Sequence, residues 1–514
     1  MTNRLFLALA CVLLAVRLPS LVQPMGADQA LYAYAGERVL DGGLPYRDAW
    51  DQKPPAIHVT YAAMRGLWPY ESVVPAADLV MTAVGAILLW RLGTVIVSSA
   101  VGQSAALLFI FLGNPAFARL GGVSVRAQCE TFIAAAVTGA FLLLAADREK
   151  AAVWKHLAAG MLFGLAFTFK YNAAVYVLAG AFALYLWQRL NPPAIVALAL
   201  GFIIPIAALA AWLGSGGALR DAYQATVAYN LDYSGETYRG PAHALTYLLV
   251  FPVRHARVDA LWLIGGGGSA ALLLGALHAR ERLVVVAWVA AACLSIAING
   301  SRDLPQYFVQ ASPALALAGA WAGSLLWSRR PLLKAIAAVI VTVAVWRVND
   351  FSKLVENTWH DGRYAAGRTS TEDHLGRYGD RTTRKYSALA VAQLGRFLKA
   401  HSRPDDRVYV FGFSSGAYVA AERVSASRFF WSRPVIAGFN EGQARYGVGG
   451  LLGDLRRTAP AAVALQHRDW FPDVDDSAHF FLTTVPLAEW LRASYDRVDG
   501  VPGFDLWLRR EIGP

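Results

Sequence analysis

A bundle of membrane-spanning helices carrying a small α/β domain is the fold class this sequence predicts, mainly α, and three observations carry the prediction. The 514 residues are 56% hydrophobic and only 16% charged, with a mean hydropathy of +0.39, well above an ordinary soluble chain. Apolar windows able to cross a hydrocarbon layer of roughly 30 Å recur as far as residue 348. They stop at Asn349, and residues 350–514 are polar and long enough to form a domain of their own.

The windows fall at 5–22, 73–97, 100–117, 131–146, 157–169, 173–187, 194–213, 260–277, 283–298, 308–327 and 332–348. They predict about eleven spans, several of them short. No small-x-small cleavage site precedes Gly26, so an uncleaved first helix is expected rather than a signal peptide. The connections "DREKAAVWKH" (147–156), "QRLNPP" (188–193), "HARER" (278–282) and "SRRPLLK" (328–334) are short and basic, as cytoplasmic loops are. They predict a cytoplasmic N-terminus and an extracytoplasmic C-terminal domain in an inner (plasma) membrane. The net charge of +11 then reflects orientation and attraction to membrane lipids, and no nucleic acid partner is expected. Cys11, Cys129 and Cys293 are too far apart to suggest a disulfide framework or a metal site.

This orientation gathers the charge-rich loops on one face. In the first outer loop (26–70), "QALYAYAGERVL" sets Leu31, Ala35 and Val39 on one side and ends at Gly42-Gly43. It predicts a short helix on the membrane surface. A second amphipathic helix is expected after Pro54-Pro55, with Ile57, Tyr61, Met64 and Trp68 on its apolar side. The turn between them carries Arg47, Asp48, Asp51 and Lys53. The run "GGGG" at 265–268 is expected to interrupt or kink its helix. In the C-terminal part, "DRVYVFGF" (406–413) reads as a strand and "SGAYVAAERV" (415–424) as a following helix, with "AAVALQ" and "FDLWLRR" as further strands.

Asp28 followed by "LYAYAGERVLDGGLPYRDAWDQKPP" resembles the first outer loop of the polyprenyl-phosphate-dependent glycosyltransferases of the GT-C fold. The branch it is similar to holds the protein O-mannosyltransferases (glycosyltransferase family 39) and the lipid A aminoarabinose transferase. "GNPAFARLGGVSVRAQCETF" (113–132), "GLAFTFKYNAAVY" (164–176) and "RDLPQYFVQASPALALAG" (302–319) resemble later motifs, so the likeness spans nearly the whole chain. The last usually reads His-Tyr where Gln306-Tyr307 stands here. The resemblance implies a GT-C catalytic domain over 1–349, a polyprenyl-phosphate-linked sugar as donor, transfer on the outer face, and inversion at the anomeric carbon. The acceptor, a glycan, lipid or protein, has no recognisable code.

The chemistry of such a transfer needs one carboxylate to take the acceptor's proton and cations to receive a phosphate that leaves as a stable anion. Asp28 is the candidate base, although an Asp at a helix start also serves as a cap for a helix beginning at Gln29. Glu130 is the candidate second acid, orienting the acceptor or a metal; a solvated helix-start carboxylate is the plainer reading. A divalent cation is the one cofactor left open, because a single carboxylate does not define its site. Lys53, stiffened by Pro54 and Pro55, is the candidate phosphate ligand, and Lys170 and Arg302 can join it. Tyr307, Arg47 and, in "YNLDYSG" (229–235), Asn230, Asp232 and Tyr233 are candidate substrate contacts.

Two other readings compete. "VFGFSSG" holds Gly412, Ser414 and Gly416 in the G-x-S-x-G spacing of a hydrolase nucleophile elbow, with Asp475 and His479 downstream. That reading needs earlier strands, which residues 350–386 do not offer. A transporter or flippase of a lipid-linked substrate expects charges near mid-membrane rather than in outer loops.

Overall fold

The computed structural model describes residues 2–510 apart from 147–151, 236, 278, 328–330, 380–385 and 470–475. Parts of three basic connections, and Asp475, thus lie outside the described residues. In chain order the helices are α1 (Asn3–Ala15), α2 (Ala27–Leu40), α3 (Ala56–Leu67), α4 (Val73–Ile96), α5 (Ser99–Leu112), α6 (Cys129–Ala145), α7 (Val153–Phe169), α8 (Val175–Leu186), α9 (Pro192–Ser215), α10 (Leu219–Tyr223), α11 (Tyr229–Gly235), α12 (Pro241–His255), α13 (Ala260–Leu274), α14 (Arg282–Ile298), α15 (Ser312–Trp327), α16 (Pro331–Val348) and α17 (Phe351–Ala365). Each of the eleven apolar windows holds one of them. Among the described residues four segments, Asn3–Val22, Val73–Ile96, Pro192–Ser215 and Pro305–Leu326, are individually long and apolar enough to cross a membrane, and five shorter apolar helices accompany them. The chain is a multi-pass membrane protein.

Close backbone approach holds the bundle together. Gly160 and Gly164 on α7 lie one turn apart against α9, where a Cβ built at Gly201 would stand 2.0 Å from the Leu157 carbonyl oxygen. Such small-residue contacts replace the hydrophobic drive that lipid cannot supply. Gly265 and Gly268, the first and last of the four glycines at 265–268, work the same way, and here the expectation of a kink is corrected. α13 runs through them unbroken, and a Cβ at Gly265 would meet the Leu315 Cβ on α15 at 2.5 Å. The sharp bend, 116°, falls instead between α12 and α13. α12 itself was hidden inside the long outer loop; Tyr247 and Phe251 are buried while Leu249 and Val253 stand exposed.

Between α1 and α4, α3 is two-sided as expected, but α2 is not a surface helix. Every residue from Gln29 to Gly36 is buried, because the C-terminal domain covers the side left open in the sequence reading. The Ser425 backbone N–H donates to the Tyr34 hydroxyl at 2.9 Å, and the Phe430 ring packs 4.5 Å from that of Tyr34. Trp50 is fully buried; its backbone N–H donates to the Arg428 carbonyl and its backbone carbonyl accepts from Trp431 Nε1 at 3.0 Å. Burial of such a side chain contributes on the order of 2 kcal/mol.

A buried polar network ties α17 to the bundle rim. Arg17 pairs with Asp78 at 2.7 Å, Arg126 Nε donates to Gln23 at 2.8 Å, and Gln23 donates to Asp361 at 2.6 Å. The C-terminal domain has a five-stranded sheet of β1 (Arg407–Phe411), β2 (Val424–Ser425), β3 (Ala462–Gln466), β4 (Tyr495–Val498) and β5 (Phe504–Arg509), in the order β2-β1-β3-β5-β4. β1 is parallel to β2 and β3, and β5 is antiparallel to β3 and β4. β3, buried at every position, is central, and the short β2 and half-polar β4 form the edges.

Candidate active site

The site is assembled from four segments: the start of α2, the turn before α3, the start of α6 with the end of α7, and the turn leading into α15. The first is anchored by Gln29, whose amide donates to the carbonyls of Val123 and Arg126 at 2.6 Å each and whose oxygen accepts from the Gly26 N–H. The first turn of α2 is thereby fixed to the loop between α5 and α6. Gly26, not Asp28, is the N-cap, so capping does not account for Asp28. Its carboxylate accepts from Gln306 Nε2 at 3.0 Å.

Glu130, at the start of α6, is buried at 1% exposure and is not solvated. Its Oε1 accepts from Lys170 Nζ, and Lys170 also sits 4.3 Å over the Tyr307 ring. A buried carboxylate and ammonium compensate each other's desolvation in this way. Glu130 Oε2 has no hydrogen-bond partner among the described residues. No group of three or more His, Cys, Asp or Glu side chains able to hold a metal occurs among those residues.

The electrostatics of the outer segments link the groups. Burial raises the Asp28 pKa, Asp51 and Glu130 push it further, and Lys53 and Lys170 oppose the rise. Asp28 is half-buried by surface area, yet protein on all sides denies its charge full hydration. For Lys53 burial works against the charge, but the surrounding groups, Asp28 and Asp51 among them, outweigh it and raise the pKa. Lys53 is therefore a cation at any physiological pH.

Asp28, Lys53, Glu130, Lys170 and Tyr307 thus fall in one place. Arg302 borders it: its guanidinium stacks 3.6 Å over Tyr233 and donates to the Tyr233 carbonyl at 2.7 Å. Two candidates stand behind the site. Arg47 is committed to Asp48 and to the Gly216 carbonyl at 3.1 Å, and Asn230 to the carbonyls of Gln52 and Thr226 at 2.7 and 2.8 Å. Asp232 is exposed. The sequence reading missed Gln306 as Asp28's partner, and also a buried pair, Asp51 and His58, at 2.9 Å. An acid and a histidine seven residues apart across Pro54-Pro55 were the available signal. A cavity of about 270 Å³ lies behind the site, lined mostly by apolar side chains, with Thr131 beside Glu130 and Pro305 and Phe308 flanking Gln306-Tyr307.

The serine elbow is put to another use. Ser414 is buried and donates to Gln466 Oε1 at 2.9 Å, which also accepts the Phe413 N–H. His479 is exposed on a different segment, and His467 is held by Asp476 and Asp505 at 3.0 Å each. Gln466 occupies the place a general base would need.

No protein-family model and no curated protein matches the sequence. The fold does match solved structures. ArnT from Cupriavidus metallidurans bound to undecaprenyl phosphate is similar at a TM-score of 0.59 and 16% identity, over 99% of this chain and 98% of that one. Its apo state gives 0.57 at 16% identity, over 98% and 97%. The archaeal oligosaccharyltransferase AglB from Archaeoglobus fulgidus, in complex with an inhibitory peptide and a dolichol-phosphate, gives 0.50 at 12% identity, over 99% of this chain and 75% of that one. The likeness shows that this chain has the GT-C fold, with a helical membrane bundle and a small C-terminal sheet domain.

Proposed function

We propose that this protein is an integral membrane glycosyltransferase that moves a monosaccharide from a polyprenyl-phosphate donor to an acceptor hydroxyl at the extracytoplasmic face. The observation that carries the reading is the juxtaposition of a half-buried carboxylate, Asp28, with the fixed cation Lys53 and the buried Glu130–Lys170 pair. The fold shared with membrane glycosyltransferases, one of them bound to undecaprenyl phosphate, supports it.

The acceptor oxygen attacks the anomeric carbon from the face opposite the phosphate. A new C–O bond forms as the bond to the phosphate oxygen breaks; its electron pair leaves on polyprenyl phosphate, and the acceptor's proton passes to an Asp28 oxygen. The configuration inverts. Burial suits Asp28 to this role, because a raised pKa makes its ionised carboxylate a stronger base. Gln306 holds one carboxylate oxygen and leaves the other for the acceptor. Lys53 receives the developing phosphate charge. Lys170 has three N–H donors, so it can keep Glu130 and share a second bond with the phosphate, with Arg302 at the rim.

The short basic connections support a cytoplasmic N-terminus, and with it an extracytoplasmic side for the loops that carry this chemistry. The test is direct. Purified protein incubated with labelled polyprenyl-phosphate sugar should release polyprenyl phosphate, and Asp28→Asn should stop that release in a protein that remains folded. Release that is unchanged in the variant would reject the assignment.

A further inference from the structure

The turn that carries Lys53 is held by more contacts than its length requires. Tyr46 is completely buried and adopts the left-handed region at φ 69°. A bulky side chain seldom occupies that region unless its surroundings impose it. Its hydroxyl donates to the Lys53 carbonyl oxygen at 2.9 Å, and its ring meets the His58 ring edge-on at 5.8 Å. Asp51, 1% exposed, takes the other side of His58: Oδ2 lies 2.9 Å from Nε2, while Oδ1 accepts the Gln52 N–H at 2.7 Å. His58 lies on α3, directly after the double proline, so the pair closes the segment 51–58 upon itself.

His58 is 0% exposed, so whatever it contributes passes through its neighbours. Those neighbours are the two residues that grip the turn on either side of Lys53. We propose that Tyr46, Asp51 and His58 form a positioning clamp that presets the backbone of Lys53, so that its ammonium stands where the donor's phosphate arrives. The inference rests on the phosphate-binding role given to Lys53 above. Its physical benefit is preorganisation: a turn already fixed has no backbone freedom to lose when the phosphate binds. Tyr46, Asp51 and His58 are positioning residues, and none is a catalytic residue.

The measurement is the Kd of polyprenyl phosphate, the carrier without its sugar, for the purified full chain, with Tm recorded alongside. Tyr46→Phe removes only the hydroxyl and should weaken binding about fivefold to tenfold, as loss of one hydrogen bond implies. The same substitution in a Lys53→Ala background should change Kd less than about twofold, because the clamp then has nothing to position. His58→Gln, whose amide can still donate to Asp51, should retain most of the affinity, whereas His58→Leu should behave like Tyr46→Phe. If His58→Leu does not fold, the Tyr46→Phe cycle decides. Equal weakening with and without Lys53 would overturn the clamp and leave the donor-binding role intact. Wild type and Lys53→Ala binding the carrier alike would remove that role, and the clamp with it.

Discussion

Replacing Asp28 by Asn tests the proposed chemistry with little structural disturbance. The amide has the same shape and its oxygen can still accept from Gln306 Nε2, so the 3.0 Å contact survives. Among the described residues the two neighbouring carboxylates are already engaged, Glu130 through one oxygen with Lys170 and Asp51 with His58. The loss should therefore be that of an entire general base, about 10²- to 10⁴-fold in kcat, or about 2.7–5.4 kcal/mol of barrier. Donor binding should be unchanged or tighter, since a negative neighbour of the phosphate has gone. The sign of the stability effect follows from the raised pKa. An acid whose folded pKa lies above its unfolded value contributes stability below the unfolded value, and that stability is lost as pH rises through the folded one. An amide carries no such charge, so once pH has passed the folded value Asp28→Asn should be at least as stable as wild type. For the same reason the acid limb of the wild-type pH–rate profile should lie above the ordinary Asp value of about 3.9. The assay is release of labelled polyprenyl phosphate from pH 4 to 9, with thermal unfolding in the same detergent. Turnover within tenfold of wild type, or a variant that melts earlier, would refute the reasoning.

Other perturbations follow from the same geometry. Lys170→Met strands the buried Glu130 carboxylate and should cost about 3–5 kcal/mol, whereas Glu130→Gln with Lys170→Met should regain most of that stability without regaining transfer; unfolding and activity read together check this. Ser414→Ala removes one hydrogen bond to Gln466 and should leave transfer within about twofold, measured by the same release assay. In the C-terminal domain burial disfavours the His467 charge, but Asp476 and Asp505 outweigh that and raise its pKa. His467 therefore stabilises the domain below about pH 6.5 and loses that contribution as pH rises through its folded pKa. Amide exchange in β3 and β5 should quicken over that range, with Arg497 remaining paired to Asp505, and His467→Gln should flatten the dependence.

Sequence patterns carried the bundle well, because the apolar windows report directly on a lipid environment. They also brought Asp28, Lys53, Glu130 and Lys170 to one face, through motif resemblance and loop orientation. What they could not show were partnerships across great sequence distance: Gln306 meets Asp28 from 278 residues away. The surroundings of α2 were hidden for the same reason, since its cover comes from residues beyond 410. Gly265–Gly268 misled because a glycine run breaks helices in water, whereas between membrane helices it admits a neighbour's backbone. α12 escaped detection because Pro252 and His255 cut its apolar run below the length of a span. Arg47 and Asn230 lie in the expected loops, but Arg47 serves the Asp48 carboxylate and the Gly216 carbonyl, and Asn230 serves backbone carbonyls that no residue pattern reveals.

The enclosure of α2 between the bundle and the sheet domain bears on how this chain can be divided. Asp28 sits at one end of a rod gripped from both sides, and Trp50 and Tyr34 are fastened to residues 425–431. A truncation after residue 349 would strip the rod of half its packing and leave aromatic rings facing water. Exchange of tail segments between related proteins would succeed only if residues 26–67 travelled with them as a matched pair.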